Sequence, residues 1–123
     1  MKSKTFLFAS PNTAIETVFS KEGHKITHSH IDKHDAVVFC GFTPLCPMLY
    51  GQSPIKTFPS DKMDLHKDRK EWRFVRELDL KKPKIGIGRG SHLLNVYSGG
   101  DMWQYVDNHM LFQDGHEVSC AGY

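Results

Sequence analysis

The chain lacks three features that would assign it to a specialised class of protein. It has no run of about 18 apolar residues, so it offers no candidate transmembrane helix. Its 16 basic and 14 acidic residues nearly cancel, and a net charge of +2 does not predict nucleic-acid binding. Its 3 cysteines, an odd number without regular spacing, argue against a disulfide framework. We therefore expect a protein of the cytoplasm that binds neither membranes nor nucleic acids.

What the chain does have is the composition of one globular domain. Its 123 residues, 39% of them hydrophobic, are enough for a single modest core, so residues 1–123 are predicted to form one domain. The N-terminal apolar run, Thr5–Ala9, is shorter than the roughly 7 residues that a signal-peptide core requires. We interpret it as the first buried strand.

Strand and helix patterns alternate along the chain. The predicted strands are Thr5–Ala9, Lys25–Thr27, Asp35–Cys40 and Lys84–Ile87, and the predicted helices lie near Thr13–Lys21, Asp61–Leu80 and Ser91–Ser98. In the first helix, Ile15, Val18 and Phe19 recur at the spacing of one helical face. Between the second and third helical strands of this pattern, Phe42–Ser60 holds five prolines and is predicted to be a long loop. This order predicts an α/β fold with a doubly wound, mostly parallel sheet.

The second predicted helix is rich in charge. Trp72, Val75 and Leu78 are expected to form its inner face. The charged positions, acidic Asp68 and Glu71 among them, are interpreted as a solvated surface in which acids dilute the basic charge. The alternative is a basic face that meets an acidic partner.

The most informative segment is Lys84–Gly100, which reads KIGIGRGSHLLNVYSGG. It combines a short strand, a glycine-rich turn and an apolar helix, which is how a nucleophile elbow is built. The N-terminus of such a helix offers N–H groups to a developing negative charge. The residue at the apex of the turn is Gly88, which has no side chain to attack with. The segment predicts the scaffold of a catalytic site without its nucleophile.

This segment resembles the γ-glutamyl hydrolase-like (peptidase C26) branch of the class I glutamine amidotransferases, including its bacteriophage members. That family carries G-I-C-R-G-x-Q-L-L-N-V-x-x-G-G; here Gly88 stands in place of the cysteine nucleophile and His92 in place of the glutamine. The stretch 102–106 resembles the family's L-Y-Q-D-V. The stretch 41–51 resembles its G-G-x-D-V-x-P-x-x-Y-G oxyanion loop, although Phe42 departs from that pattern.

The resemblance implies a flavodoxin-like fold and a defined set of site positions. The oxyanion and substrate-pocket positions would be Gly41, Phe42, Arg89 and His92, with the Arg89 N–H and the Gly41–Phe42 backbone as donors. No catalytic residue is intact, because position 88 is glycine and the family's histidine and glutamate find no match before the chain stops at Tyr123. We expect a partial domain, shortened on its C-terminal side, in which His109, His116 and Glu117 have no catalytic role.

These positions predict a degenerate, non-catalytic amidotransferase-like domain that acts by protein binding and needs no cofactor. It would lie in the host cytoplasm if a phage encodes it. The alternative is a thiol-dependent glutamine amidotransferase or γ-glutamyl hydrolase, inactivated at Gly88 or completed by a missing C-terminal segment or another chain. Of the other cysteines, Cys46 is the one expected to face the site, whereas Cys40 is expected in the core.

A third alternative is a metal site among four histidines within eleven residues. His28 and His30 would lie on one side of a strand, as weak candidates for zinc ligands, with His24 and His34 nearby. No cysteine or carboxylate spacing completes a recognised site, so an exposed histidine-rich loop without metal is the favoured interpretation.

The expected C-terminal shortening also predicts assembly. A doubly wound sheet without its last strands exposes an edge and an apolar flank, which proteins commonly cover by pairing. We predict a homodimer, or a complex with a partner or host protein, through Asp101–Tyr123. The alternative is a monomer whose tail folds back over the edge.

Overall fold

A computed structural model describes residues 2–56, 58–78 and 81–104 and shows a four-stranded parallel sheet with helices on both faces. The strands are β1 (Thr5–Phe8), β2 (Lys25–Thr27), β3 (Ala36–Gly41) and β4 (Lys84–Gly88), and the helices are α1 (Thr13–Lys21), α2 (Leu65–Glu77) and α3 (Arg89–Tyr97). The strand order is β2-β1-β3-β4, and every pair is parallel. The predicted α/β fold with a mostly parallel sheet is therefore confirmed.

The central strand β3 organises the sheet. All six of its residues are buried, as expected for an apolar strand covered on both faces. Leu7 of β1 lies opposite Val37, and Ile85 of β4 lies opposite Val38. Because β1, β3 and β4 are parallel neighbours, their carboxyl ends meet at one edge of the sheet, the usual place for a site in an open α/β fold.

The two faces of the sheet carry different helices. On one face, Ile15 and Phe19 of α1 pack against a cluster that includes Phe8 and Val38. On the other face, α2 and α3 cover the sheet. The buried cluster there consists of Leu7, Val37, Phe39, Leu45, Val75, Leu93, Val96 and Met102. This two-sided cover buries the sheet and leaves its carboxyl edge at the surface.

Several predicted boundaries and contacts were wrong. Helix α2 begins at Leu65 rather than Asp61, because the Asp64 side chain caps it by accepting a hydrogen bond from the Lys67 N–H at 3.0 Å. Val18 is 57% exposed, because Ile15 and Phe19 alone carry the contact of α1 with the sheet.

The predicted long loop after β3 is not featureless. It contains a 3-10 turn at Pro47–Tyr50, and a second turn, Ser60–Lys62, follows it. The predictions for residues 105–123, including His109, His116, Glu117 and Cys120, fall outside the described residues. None of the described helices is long and apolar enough to span a bilayer.

Candidate functional site

The strand-to-helix turn predicted as an elbow is present. Strand β4 ends at Gly88 and α3 begins at the next residue, so the chain reverses without a linker. Gly88 has φ 61° and ψ −124°, a conformation that a side chain would strain. It offers no side-chain cap, so the first N–H groups of α3 remain open to the carboxyl edge of the sheet. The Ser91 hydroxyl donates to the Gly88 carbonyl at 2.6 Å.

The space above Gly88 is already occupied. A Cβ at residue 88 would meet the carbonyl oxygen of Gly41 at a distance that real Cβ atoms do not adopt, and the Phe42 ring would lie 3.2 Å away. The Gly41–Phe42 peptide therefore turns its carbonyl oxygen toward the elbow. Since the N–H of a trans peptide points the opposite way, the Phe42 N–H is directed away from Gly88. The turn thus presents an acceptor where the resemblance implies an oxyanion donor.

The side chain of Arg89 lies in the interior rather than in the site. It is fully buried, and its guanidinium pairs with Asp68 (Nη1 to Oδ1, 2.8 Å) and with Glu71. The second oxygen of Asp68 accepts a hydrogen bond from the Cys46 N–H at 2.9 Å. The second oxygen of Glu71 accepts one from the Ser10 hydroxyl. This buried cluster ties the elbow to α2, to the proline-rich loop and to the end of β1.

The buried cluster contains two carboxylates and one guanidinium. Burial raises the pKa of Asp68, and the Cys46 N–H and the Arg89 guanidinium offset part of that rise. A second cation lies at its margin: a Cβ on Gly41 would be 3.3 Å from both Lys67 Nζ and Arg89 Nε. Arg89 Nε itself has no hydrogen-bond partner among the described atoms.

The prediction that Asp68 and Glu71 belong to a solvated surface was wrong. Both are buried, and they lie on the same face of α2 as Trp72 and Val75. Positions 68, 71, 72 and 75 have the i, i+3, i+4, i+7 spacing of a single helical stripe. That spacing was the available signal: acids that share an apolar stripe require a buried cation, and Arg89 provides it.

The predicted site positions come together around one cleft at the carboxyl edge. Phe42, Gly88, Arg89 and His92 all line it, and its volume is about 600 Å³. Gly41 lies directly behind, against Gly88. The other walls are mainly apolar or aromatic, with Leu45, Tyr50, Phe58, Pro59, Met102 and Trp103 among them. Burial raises the pKa of Tyr50 to about 12, so its phenol is neutral at physiological pH.

One side of the cleft is closed by contacts of Gln104. Its amide nitrogen donates to Gln52 Oε1 at 2.8 Å and to the Ser53 carbonyl at 2.9 Å. Its amide oxygen accepts from the Ile55 N–H at 2.9 Å. The segment after α3 is thereby joined to the proline-rich loop, and together they form the outer wall.

Comparison with known families agrees with this arrangement. The family model described as Peptidase C26 matches residues 13–121, most of the chain. The chain belongs to the peptidase C26 family.

Relatives with curated names carry the same assignment. The glutamine amidotransferase-like protein YvdE homolog of Lactococcus lactis subsp. cremoris is 33% identical over 98 residues, covering 71% of this chain and 51% of that protein. A candidate glutamine amidotransferase of Schizosaccharomyces pombe, PB2B2.05, is 34% identical over 87 residues, covering 69% and 33%. Protein NtpR of Enterococcus hirae is 29% identical over 94 residues, covering 76% and 38%. The chain thus spans about half the length of the first relative and less of the others.

For a peptidase C26 domain, the position of the thiols decides which chemistry is available. Cys40 and Cys46 are both buried, with at most 1% of either residue exposed. Burial also raises the pKa of Cys40, which disfavours its thiolate. Cys46, expected to face the site, does not line the cleft; its backbone N–H is bound to Asp68. Neither thiol replaces a nucleophile at Gly88.

The histidines proposed as weak metal ligands have separate partners. His28 Nε2 lies 3.0 Å from Glu16 on α1, and the His30 ring packs edge-on against Phe74 of α2. His24 Nδ1 accepts a hydrogen bond from the Lys4 N–H. Within residues 2–56, 58–78 and 81–104, no three histidine, cysteine, aspartate or glutamate residues are grouped to hold a metal ion.

Proposed function

We propose that this chain is a non-catalytic glutamine amidotransferase-like domain that acts by binding another protein in the cytoplasm, the host's if a phage encodes it. Thiol-dependent amide hydrolysis requires a thiolate at the elbow. The observation that carries the proposal is the state of residue 88: it is glycine, and the space for a side chain is taken by the Gly41 carbonyl and the Phe42 ring. The burial of Cys40 and Cys46 supports the same conclusion.

The proposed partner surface is Asp101–Tyr123, of which residues 101–104 are described. Trp103 is 62% exposed there, and Phe42, which lines the same cleft, is 74% exposed. Exposed aromatic side chains at one site are typical anchors of protein interfaces. The partner would be a second copy of this chain or a different protein.

Light scattering at micromolar concentration tests the first of these partners. A homodimer should have about twice the 14.1 kDa mass of the chain, and Trp103→Ser should shift it toward the monomer. Trp72→Phe, a change at a half-buried tryptophan packed against Tyr97, serves as the control. A monodisperse 14.1 kDa species would exclude the homodimer.

Glutamine hydrolysis tests the absence of catalysis. The wild-type chain should release no glutamate from glutamine, because the elbow has no nucleophile. Release of glutamate that persists after all 3 cysteines are replaced by serine would contradict the whole interpretation of the site.

The second candidate function is a glutamine amidotransferase that lost its activity at residue 88 or that another segment completes. The backbone of the elbow and the open N-terminus of α3 favour it, because both suit an acyl-transfer site. Covalent labelling of Gly88→Cys by a glutamine-analogue electrophile, with Gly88→Ala as the unlabelled control, would support this candidate. Without labelling, the non-catalytic proposal stands.

A further inference from the structure

The charges on the cleft wall have one sign. Among the described residues that line it, the ionisable side chains other than the neutral Tyr50 are Lys62, Arg89 and His92. Neither aspartate nor glutamate occurs in that described lining. The wall is therefore suited to an anion rather than to a cation.

These basic groups do not contribute equally. The Arg89 charge is compensated inside the protein by Asp68 and Glu71, so it adds little net potential to the cleft. Lys62 is exposed and lies on the rim, so its charge acts on the cleft together with the N-terminal N–H groups of α3. The unpartnered Arg89 Nε is a further donor, fully buried in a residue that lines the same cleft.

The remaining wall is aromatic. Phe42 and Trp103 expose most of their surface, and Tyr50 and Phe58 form the wall with them. A concave site of about 600 Å³ falls within the usual size of small-molecule sites. Aromatic walls favour a planar apolar ligand, because rings pack well in stacked or edge-on contacts.

We propose that this cleft binds a small aryl carboxylate, an apolar planar body with one carboxylate and no ammonium group. The proposal rests on the proposed non-catalytic function and specifies a ligand for the same site. An amino acid such as glutamine brings an α-ammonium, and the described wall offers no carboxylate to compensate it. The Gly41 carbonyl is a single neutral acceptor and does not replace one.

Calorimetric titration of the full chain with three matched ligands tests the proposal. The ligands are 3-phenylpropanoate, L-phenylalanine, which adds an ammonium, and 3-phenylpropanamide, which removes the charge. We expect the carboxylate to bind about tenfold more tightly than either of the other two, the ratio that 1.4 kcal/mol produces. Glutamine should bind no better than phenylalanine.

Two charge-matched variants locate the carboxylate. Lys62→Gln should weaken binding of 3-phenylpropanoate by about three- to tenfold, the effect of one charge-assisted contact at a partly exposed site. Lys21→Gln removes the same charge from α1, on the opposite face of the sheet, and should change the affinity less than about twofold. Circular dichroism checks that both variants fold.

Equal affinity for phenylalanine, an unchanged affinity in Lys62→Gln, or no binding of 3-phenylpropanoate at about 10 mM would each overturn the proposal. These outcomes are separate from those of the activity assay. Hydrolysis of glutamine refutes the non-catalytic function alone, whereas loss of the carboxylate preference refutes the ligand alone.

Discussion

Replacing Arg89 by methionine should destabilise the domain severely. The substitution keeps an unbranched side chain of similar length and removes the guanidinium that pairs with Asp68 and Glu71. Both carboxylates have at most 1% of their surface exposed, so water cannot replace the lost partner. Removing one partner of a buried ion pair costs about 3–5 kcal/mol. Total stabilities of domains are about 5–15 kcal/mol, so Arg89→Met should lose a large share of the free energy of unfolding.

The loss should depend on pH in a defined direction. Burial raises the folded-state pKa of Asp68 above its unfolded value, so protonation favours the folded state. Stability that is present at low pH is lost as the pH rises through the folded pKa. Without Arg89 this pKa rises further, because the guanidinium lowers it in the wild type. The deficit of Arg89→Met should therefore be largest at pH 7 to 8 and smaller near pH 5.

Urea denaturation at pH 5 and pH 7.5, followed by far-UV circular dichroism, measures both effects. Arg73→Met, an exposed change on α2, is the matched control and should stay within about 0.5 kcal/mol of the wild type. Adding Asp68→Asn and Glu71→Gln to Arg89→Met removes the uncompensated charges and should recover more than half of the loss. A deficit of Arg89→Met below about 1 kcal/mol, or one that does not change with pH, would refute the argument.

Three further predictions concern the elbow, the thiols and the acid limb of stability. Gly88→Ala should lower the free energy of unfolding by about 2–3 kcal/mol and Gly23→Ala by only about 1 kcal/mol, because both have positive φ but only Gly88 lacks space for a Cβ; equal losses in thermal melts would contradict this. Cys40 and Cys46 should react with a thiol reagent at pH 8 only as fast as the protein unfolds, and rapid modification of either, located by mass spectrometry, would disprove their burial. A backbone hydrogen bond lowers the pKa of Asp35, so NMR should give a midpoint below 3.8, and the stability from this group should be present at neutral pH and lost as the pH falls through that midpoint; a midpoint above 3.8 would exclude that contribution.

The sequence was sufficient to predict the sheet and the elbow. The apolar run before Gly41 and the glycine-rich turn around Gly88 are strong local signals, and both occur where predicted. The predicted neighbours β1, β3 and β4 are adjacent because parallel strands joined by helices have few possible orders.

The details of the site required the structure. Charge was read as exposure at Asp68 and Glu71, whereas a partner 18 to 21 residues away in the chain decided their burial. The orientation of the Gly41–Phe42 peptide was beyond reach for a different reason. Glycine permits several backbone conformations of similar energy, so only the surrounding packing determines which way the carbonyl points.

The contacts of Gln104 have a consequence for the order of folding. They join residues that are 49 to 52 positions apart, so the chain between them must already be organised before the hydrogen bonds are favourable. Contacts of this kind form after the transition state in chains whose nucleus is the central sheet. The outer wall of the cleft should therefore close last on folding and open first on unfolding, and Gln104 should affect how long the folded state lasts rather than how fast it is reached.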